Sequence, residues 1–158
     1  MTKYYHSAPL ALQAGSIIEP GNWGRILNCY TSENGNAWLL ARELAFESIR
    51  SSDFKDLPSR LSSCFVFDNL DHANQYQREF SRWNSLYEVE LVNETAPTHQ
   101  GAFNLVSFPN NQTEFLPVVI NNARKYWAGE EIQVPEIITK SPLLIKNVVS
   151  GAPACYQP

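Results

Sequence analysis

Two stretches of the chain repeat apolar residues at the spacing of an α-helix. The first spans residues 36–51 and begins with Asn36, whose side chain can cap a first turn. The second starts near Thr113 and stops at Gly129, and it accommodates Pro117 because a proline in the first turn removes no helical hydrogen bond. Both predict amphipathic helices, with apolar stripes made of Leu39, Leu40, Leu44, Phe46 and Ile49, and of Leu116, Val119, Ile120, Ala123, Tyr126 and Trp127.

A third helix is predicted after Asp68 or Asp71, because either side chain can serve as an N-cap. Its apolar face is largely aromatic and consists of Ala73, Tyr76, Phe80 and Trp83. Residues 19–25, by contrast, place two glycines and a proline around Trp23. That composition predicts a loop whose backbone can approach a ligand closely and cover it.

Strand patterns occupy the positions between these helices and both ends of the chain. Residues 3–7 are rich in aromatic side chains, and residues 64–67 are an apolar run that is too short for a helix. Two further strands are predicted at residues 133–139 and 143–149, on either side of a Ser-Pro turn.

A fifth strand is predicted at residues 85–92, where apolar residues alternate with Glu88 and Glu90. This alternation places both carboxylates on one face of the strand. The following residues, 94–112, are rich in Pro, Asn, Gln and Thr, and they predict a mobile loop with one short element at 102–108. A first strand, two helix–strand blocks and terminal strands indicate an α+β fold.

Composition limits the classes of protein that fit this pattern. The 158 residues suit a single domain spanning 1–158, and 44% of them are hydrophobic. A net charge of −4 gives no broad basic field for nucleic acid or anionic membranes. The cysteines, at positions 29, 64 and 155, are odd in number and far apart. With no run of about 18 apolar residues, we expect no membrane association and a reduced, cytoplasmic protein. The oligomeric state stays open.

The chain lacks the glycine-rich, Walker, zinc-protease and serine-hydrolase signatures. It does contain an ordered set of short motifs: Tyr5-His6 on the first strand, residues 62–67 before the aromatic helix, residues 87–91, and Val134-Pro-Glu-Ile-Ile before residues 142–145. This layout resembles the ADP-ribosyltransferase superfamily from Tyr4 to about Val149, especially small bacterial and phage members such as the rifampin-type and DNA-modifying enzymes. The resemblance implies a split β-sheet core with flanking helices, and NAD as the co-substrate.

The same resemblance implies that four residues bind NAD: Tyr5, His6, Phe67 and Tyr76. His6, next to Tyr5, matches the first-strand histidine that contacts the adenosine ribose. Phe67, with Phe65 as second choice, stands where an aromatic residue stacks on nicotinamide, and Tyr76 lies where a side chain walls the pocket. A phenylalanine keeps the stacking but lacks the hydroxyl of the usual tyrosine. From the residues alone, His6 is equally a strand-end histidine, and Phe67, Tyr76 and Trp83 are core residues.

Glu136 matches the glutamate that serves as the catalytic residue in such enzymes. Breaking the nicotinamide–ribose bond leaves an oxocarbenium-like sugar, and a carboxylate that holds the ribose hydroxyl stabilises its developing charge. Glu90 is the rival, because Glu88-Val-Glu90 has the paired spacing of arginine-directed ADP-ribosyltransferases. The structural alternative for Glu136 is a strand-edge side chain that faces water.

The expected activity is therefore transfer of ADP-ribose from NAD to an unidentified acceptor, which is a protein, a nucleic acid or a small molecule. The setting implied by the resemblance is that of a toxin, a phage factor or an effector. Two alternatives stay open on the sequence: an NAD glycohydrolase on the same fold, in which water replaces the acceptor, and a non-catalytic binding module that has lost the activity.

Overall fold

The computed structural model describes residues 2–107 and 114–151. Within these ranges it contains seven strands, five α-helices and a short 3₁₀ helix at Arg60–Ser62. The strands are β1 (Tyr4–Ala8), β2 (Ile17–Ile18), β3 (Cys64–Val66), β4 (Ser85–Leu91), β5 (Thr98–Ala102), β6 (Pro135–Thr139) and β7 (Leu143–Ser150). The helices are α1 (Asn22–Asn28), α2 (Ala37–Asp53), α3 (Leu70–Phe80), α4 (Phe103–Val106) and α5 (Phe115–Ala128). The predicted α+β class is confirmed.

The strands form two antiparallel sheets. One has four strands in the order β1-β4-β7-β2, and the other has three in the order β3-β6-β5. The two sheets meet at one isolated bridge between Tyr5 and Phe67. Two backbone hydrogen bonds make this bridge, from Tyr5 N to Phe67 O at 2.8 Å and from Phe67 N to Tyr5 O at 2.9 Å. Strands β1 and β3 are therefore neighbours although about 60 residues separate them.

Side chains from both sheets fill the space between them. They come from alternate positions of each strand, which share one face, and include Ala8, Tyr87, Val89, Leu143 and Ile145 from the four-stranded sheet, with Cys64 and Val66 from the other. The outer face of the three-stranded sheet carries a second core, against which α2, α4 and α5 pack. Its buried members include Phe46, Ile49, Val119, Ala123, Tyr126, Trp127 and Ile138. Helix α3 covers a third, smaller cluster of Phe67, Ala73 and Leu86.

The strongest sequence patterns predicted the right elements. Helix α2 is capped by Asn36, whose Oδ1 accepts from Leu39 N at 3.0 Å. Helix α5 ends at Gly129, which has a left-handed backbone with φ of 70°. The strands predicted at residues 3–7, 64–67, 85–92, 133–139 and 143–149 correspond to β1, β3, β4, β6 and β7.

The predicted loop at 19–25 is wrong, because α1 begins inside it at Asn22. Its two glycines have structural roles. Gly21 starts the helix with a left-handed backbone, and Gly24 lets the helix pack on the 3₁₀ helix, since a Cβ there would lie 2.2 Å from Leu61 O.

The start and end of α3 also differ from the prediction. Asn69 caps the helix, with its Oδ1 accepting from Asp71 N at 2.7 Å, so neither predicted aspartate is the cap. The helix ends at Phe80, and Trp83 lies beyond it with 58% of its surface exposed. A Ser-Arg pair separates the two aromatic residues and breaks the helical run.

The predicted mobile loop at 94–112 is wrong at residues 98–102, where strand β5 forms a five-residue antiparallel ladder with β6. Helix α4 coincides with the short element predicted at 102–108. Residues 108–112 of the predicted loop lie outside the described residues. The sequence of β5, Thr-His-Gln-Gly-Ala, lacks apolar alternation, so its pairing with β6 decides its conformation. None of the helices in the described ranges has the length and apolar character needed to cross a membrane.

Candidate active site

Glu136 lies near the start of β6, and its side chain is 5% exposed. Its Oε1 accepts two hydrogen bonds, one from Arg60 Nη1 and one from the Tyr126 hydroxyl at 2.9 Å. Its Oε2 accepts none from the residues that the structure describes. Two donors thus hold one oxygen of the carboxylate, and no described residue donates to the other. This geometry does not fit the alternative of a strand-edge glutamate that faces water.

This carboxylate belongs to a network of four charged side chains, whose other members are Arg60, Glu43 and Arg42. Glu43 on α2 accepts from Arg60 Nε at 3.0 Å and from Arg42 Nη2 at 2.8 Å. Two guanidinium groups therefore balance two carboxylates. Burial alone would lower the pKa of Arg60, but Glu136 and Glu43 raise it well above its ordinary value. Burial would raise the pKa of Glu43, but the two arginines lower it. Both groups stay charged over the physiological pH range.

Tyr126 on α5 supplies the second donor to Glu136. Its ring lies over Gly101, which is directly opposite Glu136 in the β5–β6 ladder. Burial and the charge of Glu136 raise the pKa of its hydroxyl well above the ordinary value, against the opposing effect of Arg60. The hydroxyl is therefore protonated, and it donates to Glu136 Oε1.

Four aromatic rings form one cluster, here called the aromatic cluster: Phe67, Tyr76, Phe80 and Phe103. Tyr76 is central, with ring centroids 5.1 Å from Phe67 and 5.0 Å from Phe103. Burial and the charge of Glu136 raise the pKa of its hydroxyl. Tyr76 is therefore within electrostatic reach of Glu136. Three predicted site residues, Phe67, Tyr76 and Glu136, share this region, and Tyr5 packs against its Phe67 end.

His6 is placed differently. Side chains alternate along β1, so His6 projects to the side of Tyr4 and Ala8, which pack between the sheets, whereas Tyr5 projects toward Phe67. Its Nδ1–H donates to the carbonyl of Phe65 at 2.7 Å. His6 is therefore on the strand next to Phe67, as the sequence predicted, but its side chain points away from the aromatic cluster.

The two other candidates from the sequence lie elsewhere. The Phe65 ring packs on the Arg60 guanidinium at 5.0 Å rather than in the aromatic cluster. Glu90 forms an ion pair with Lys146 at 3.1 Å, and Glu88 forms one with Lys3 at 3.2 Å. Both glutamates lie on the face of β4 that is turned away from the space between the sheets.

Sequence reasoning missed Arg60 and Glu43. A signal existed for Glu43, which lies three residues after Leu40 and three before Phe46, and so falls on the apolar stripe of α2. A carboxylate at such a position needs a buried cation. Arg60 follows Pro58 and Ser59 in a polar bridge between elements, and nothing in that bridge distinguishes it from an exposed arginine.

Two histidines are expected to make the protein less stable in mild acid. Burial lowers the pKa of His6 and of His99, more than their hydrogen bonds to backbone carbonyls raise it. Below the unfolded value of about 6.5, the unfolded chain therefore binds protons that the folded chain does not. The free energy of unfolding should be constant above about pH 7 and fall as the pH drops below about 6.5, by about 1.4 kcal/mol for each pKa unit of lowering.

Urea denaturation at a series of pH values between 7.5 and 5.5 measures this effect. Replacing His6 by Gln should make the curve less steep, because the amide can still donate to the Phe65 carbonyl but does not titrate, and only the contribution of His99 remains. A wild-type curve that is flat over this range contradicts the prediction.

Two open pockets lie near the surface, and neither is lined by Glu136. The first, of about 350 Å³, lies between α1, α2 and the 3₁₀ helix, and Glu43 and Ser62 are among its lining residues. The second, of about 420 Å³, is lined by residues around Tyr30 and Leu40. The first reaches the Glu43 side of the charged network. Within 2–107 and 114–151, no group of three or more His, Cys, Asp or Glu side chains is placed to hold a metal ion.

Comparison with known families identifies a match over most of the chain. The family model described as "Protein of unknown function (DUF2441)" matches residues 12–150, which is most of the chain and includes the charged network and the aromatic cluster. No curated protein matches the chain.

Proposed function

The chain belongs to the DUF2441 family, and for this member we propose an ADP-ribosyltransferase activity that cleaves the nicotinamide–ribose bond of NAD. The observation that carries the proposal is the state of Glu136, which is an almost buried carboxylate with Oε1 held by two donors and with no described residue donating to Oε2. A preorganised carboxylate of this kind suits a reaction whose transition state gains positive charge.

In the proposed reaction, the glycosidic C–N bond breaks and its electron pair leaves with nicotinamide, which departs as a neutral molecule. The ribose becomes oxocarbenium-like, and Glu136 Oε2 accepts a hydrogen bond from a ribose hydroxyl and stabilises the positive charge. A nucleophilic atom of the acceptor then bonds to the anomeric carbon and releases its proton to solvent. The cationic nicotinamide is already a good leaving group, so no general acid is needed.

The aromatic cluster supports the same proposal. Nicotinamide is a flat ring that can stack on the aromatic faces of Phe67 and Tyr76, and the charge of Glu136 raises the pKa of the Tyr76 hydroxyl. Tyr76 also supplies the hydroxyl that Phe67 lacks. The two antiparallel sheets, joined by the Tyr5–Phe67 bridge, are a further observation that supports the proposal.

His6 gives weaker support. Its Nδ1–H is donated to Phe65, and its ring is turned from the aromatic cluster. A contact between His6 and the adenosine ribose therefore finds no support in this arrangement, and the proposal rests on Glu136 and the aromatic cluster.

One observation favours a second candidate, a binding module without activity. Glu136 is already paired with a buried arginine, and buried ion pairs also occur as purely structural features. In that case Oε2 has no chemical role, and the protein leaves NAD intact.

The test is incubation of the purified protein with NAD labelled in its adenosine part, with and without a cell lysate. We expect free nicotinamide in both samples, and a labelled acceptor in the lysate sample that mass spectrometry identifies. Free ADP-ribose with no labelled acceptor indicates the glycohydrolase. No loss of NAD in either sample refutes the proposal and favours the binding module.

A further inference from the structure

Arg60 is bonded to three elements of the fold at once. Its Nε and Nη2 donate to Glu43 on α2, at 3.0 Å and 3.3 Å, so the carboxylate holds the guanidinium along one edge. On the opposite side, its Nη1 donates to Glu136 on β6 and to the Tyr126 hydroxyl on α5, the latter at 2.8 Å. A single side chain therefore connects the position of Glu136 to α2 and α5.

Three aromatic rings restrict the guanidinium further. Its central carbon lies 5.0 Å from the ring centroids of Phe65 and Tyr126, and 5.8 Å from that of Phe46. Rings on several sides and hydrogen bonds at both edges leave the planar group one orientation. A lysine ammonium has no planar fork, so it cannot hold both carboxylates in this way.

Net stability does not account for such a network. Taking charges out of water costs about as much as their pairing returns, and apolar residues of similar size often serve equally well. The effect of the network is geometric, because both donors to Glu136 approach the same oxygen. Rotation of the Glu136 carboxylate would break both bonds, and Oε2 therefore keeps one direction.

We infer that Arg60 is a positioning residue for Glu136: held by Glu43, it fixes Oε1 and so presents Oε2 to the substrate. The identity of that substrate rests on the proposed function. The fixing of the Glu136 side chain is a property of the protein alone and is tested separately.

The experiment combines the kinetics of NAD cleavage with the crystal structure of Arg60→Lys, which keeps the positive charge and loses the fork. We expect kcat to fall about a hundredfold, because a carboxylate displaced by about 1 Å loses most of its effect on the transition state. The KM for NAD should stay within about threefold of wild type, because Arg60 does not contact NAD in the proposed complex. The Glu136 side chain should leave its wild-type rotamer.

Arg50→Lys is the matched control, because Arg50 makes a similar multiple contact with Glu47 near the other end of α2. It should keep the wild-type kcat. A second variant, Glu43→Gln, removes the charge that anchors Arg60 and should lower kcat about tenfold with KM unchanged. It decides the question if Arg60→Lys does not fold.

The inference is overturned if folded Arg60→Lys keeps the wild-type kcat, or if its crystals show an unchanged Glu136 rotamer. If Arg60→Lys does not fold, a wild-type kcat in Glu43→Gln overturns it. If the wild-type protein does not cleave NAD at all, the proposed function fails. The rotamer of Glu136 in whichever of the two variants folds then decides the positioning role by itself.

Discussion

Glu136→Gln is expected to lower the rate of NAD cleavage by about a hundredfold or more. The amide has the size of the carboxylate and can still accept from Arg60 and Tyr126, but it lacks the negative charge that stabilises the oxocarbenium-like sugar. The variant should also lose about 1–3 kcal/mol of unfolding free energy, because a buried guanidinium loses a charged partner. Release of nicotinamide, measured where circular dichroism shows the variant fully folded, separates the two effects.

Two other glutamates provide the controls. Glu43→Gln removes the second carboxylate from the same guanidinium, so it should cost similar stability yet cleave NAD about ten times faster than Glu136→Gln. Glu90→Gln breaks only a partly exposed pair with Lys146 and should keep both stability and turnover. An inactive Glu90→Gln together with an active Glu136→Gln would show that the rival glutamate is the catalytic one.

Elements with a strong local pattern could be predicted from the sequence. Asn36 defines the start of the 17-residue helix α2, and Gly129 defines the end of the 14-residue helix α5. Both act through hydrogen bonds and backbone conformation within a few residues. The alternation in β4 fixed which side of the strand is buried, and Tyr87 and Val89 are indeed enclosed. These features need no information from distant parts of the chain.

Elements that depend on distant partners could not be predicted in the same way. Strand β5 has an exposed Thr98 and a mid-strand Gly101, and its conformation comes from its ladder with β6, about 35 residues later. Two glycines near the start of helix α1 are typical of a loop. Gly24, however, allows the helix to pack closely on Leu61. Local propensity indicated the wrong conformation in both cases, because tertiary contacts outweigh it.

The candidate site shows the same division. Glu136 was singled out by its match to the catalytic glutamate of the family that the sequence resembles, and the structure places its side chain inside the protein, where it is 5% exposed. Its surroundings depend on side chains from α2, the 3₁₀ helix and α5, which lie between 10 and 93 positions away in sequence. No short motif encodes such a network. The one feature of the sequence that indicated it is the position of Glu43 on the apolar stripe of α2.

The second large effect is expected at Gly101, where the absence of a side chain lets Tyr126 reach Glu136. A Cβ at this position would lie 2.3–2.7 Å from three carbons of the Tyr126 ring, which is itself fully buried. Gly101→Ala therefore forces the ring to move. We expect a loss of about 3 kcal/mol or more in the free energy of unfolding, from overpacking of about 1–3 kcal/mol and a broken buried hydrogen bond of similar size.

Chemical denaturation of Gly101→Ala, with Gly151→Ala as control, measures this loss. Gly151 has no atom within 4 Å of an added Cβ, so its variant should stay within about 0.5 kcal/mol of wild type. The double variant Gly101→Ala/Tyr126→Leu removes the ring that the new methyl group meets, so its cost should be smaller than the sum of the two single costs. Strict additivity, or a Gly101→Ala protein as stable as wild type, would show that the Tyr126 ring does not pack against Gly101 and that its hydroxyl reaches Glu136 by another arrangement.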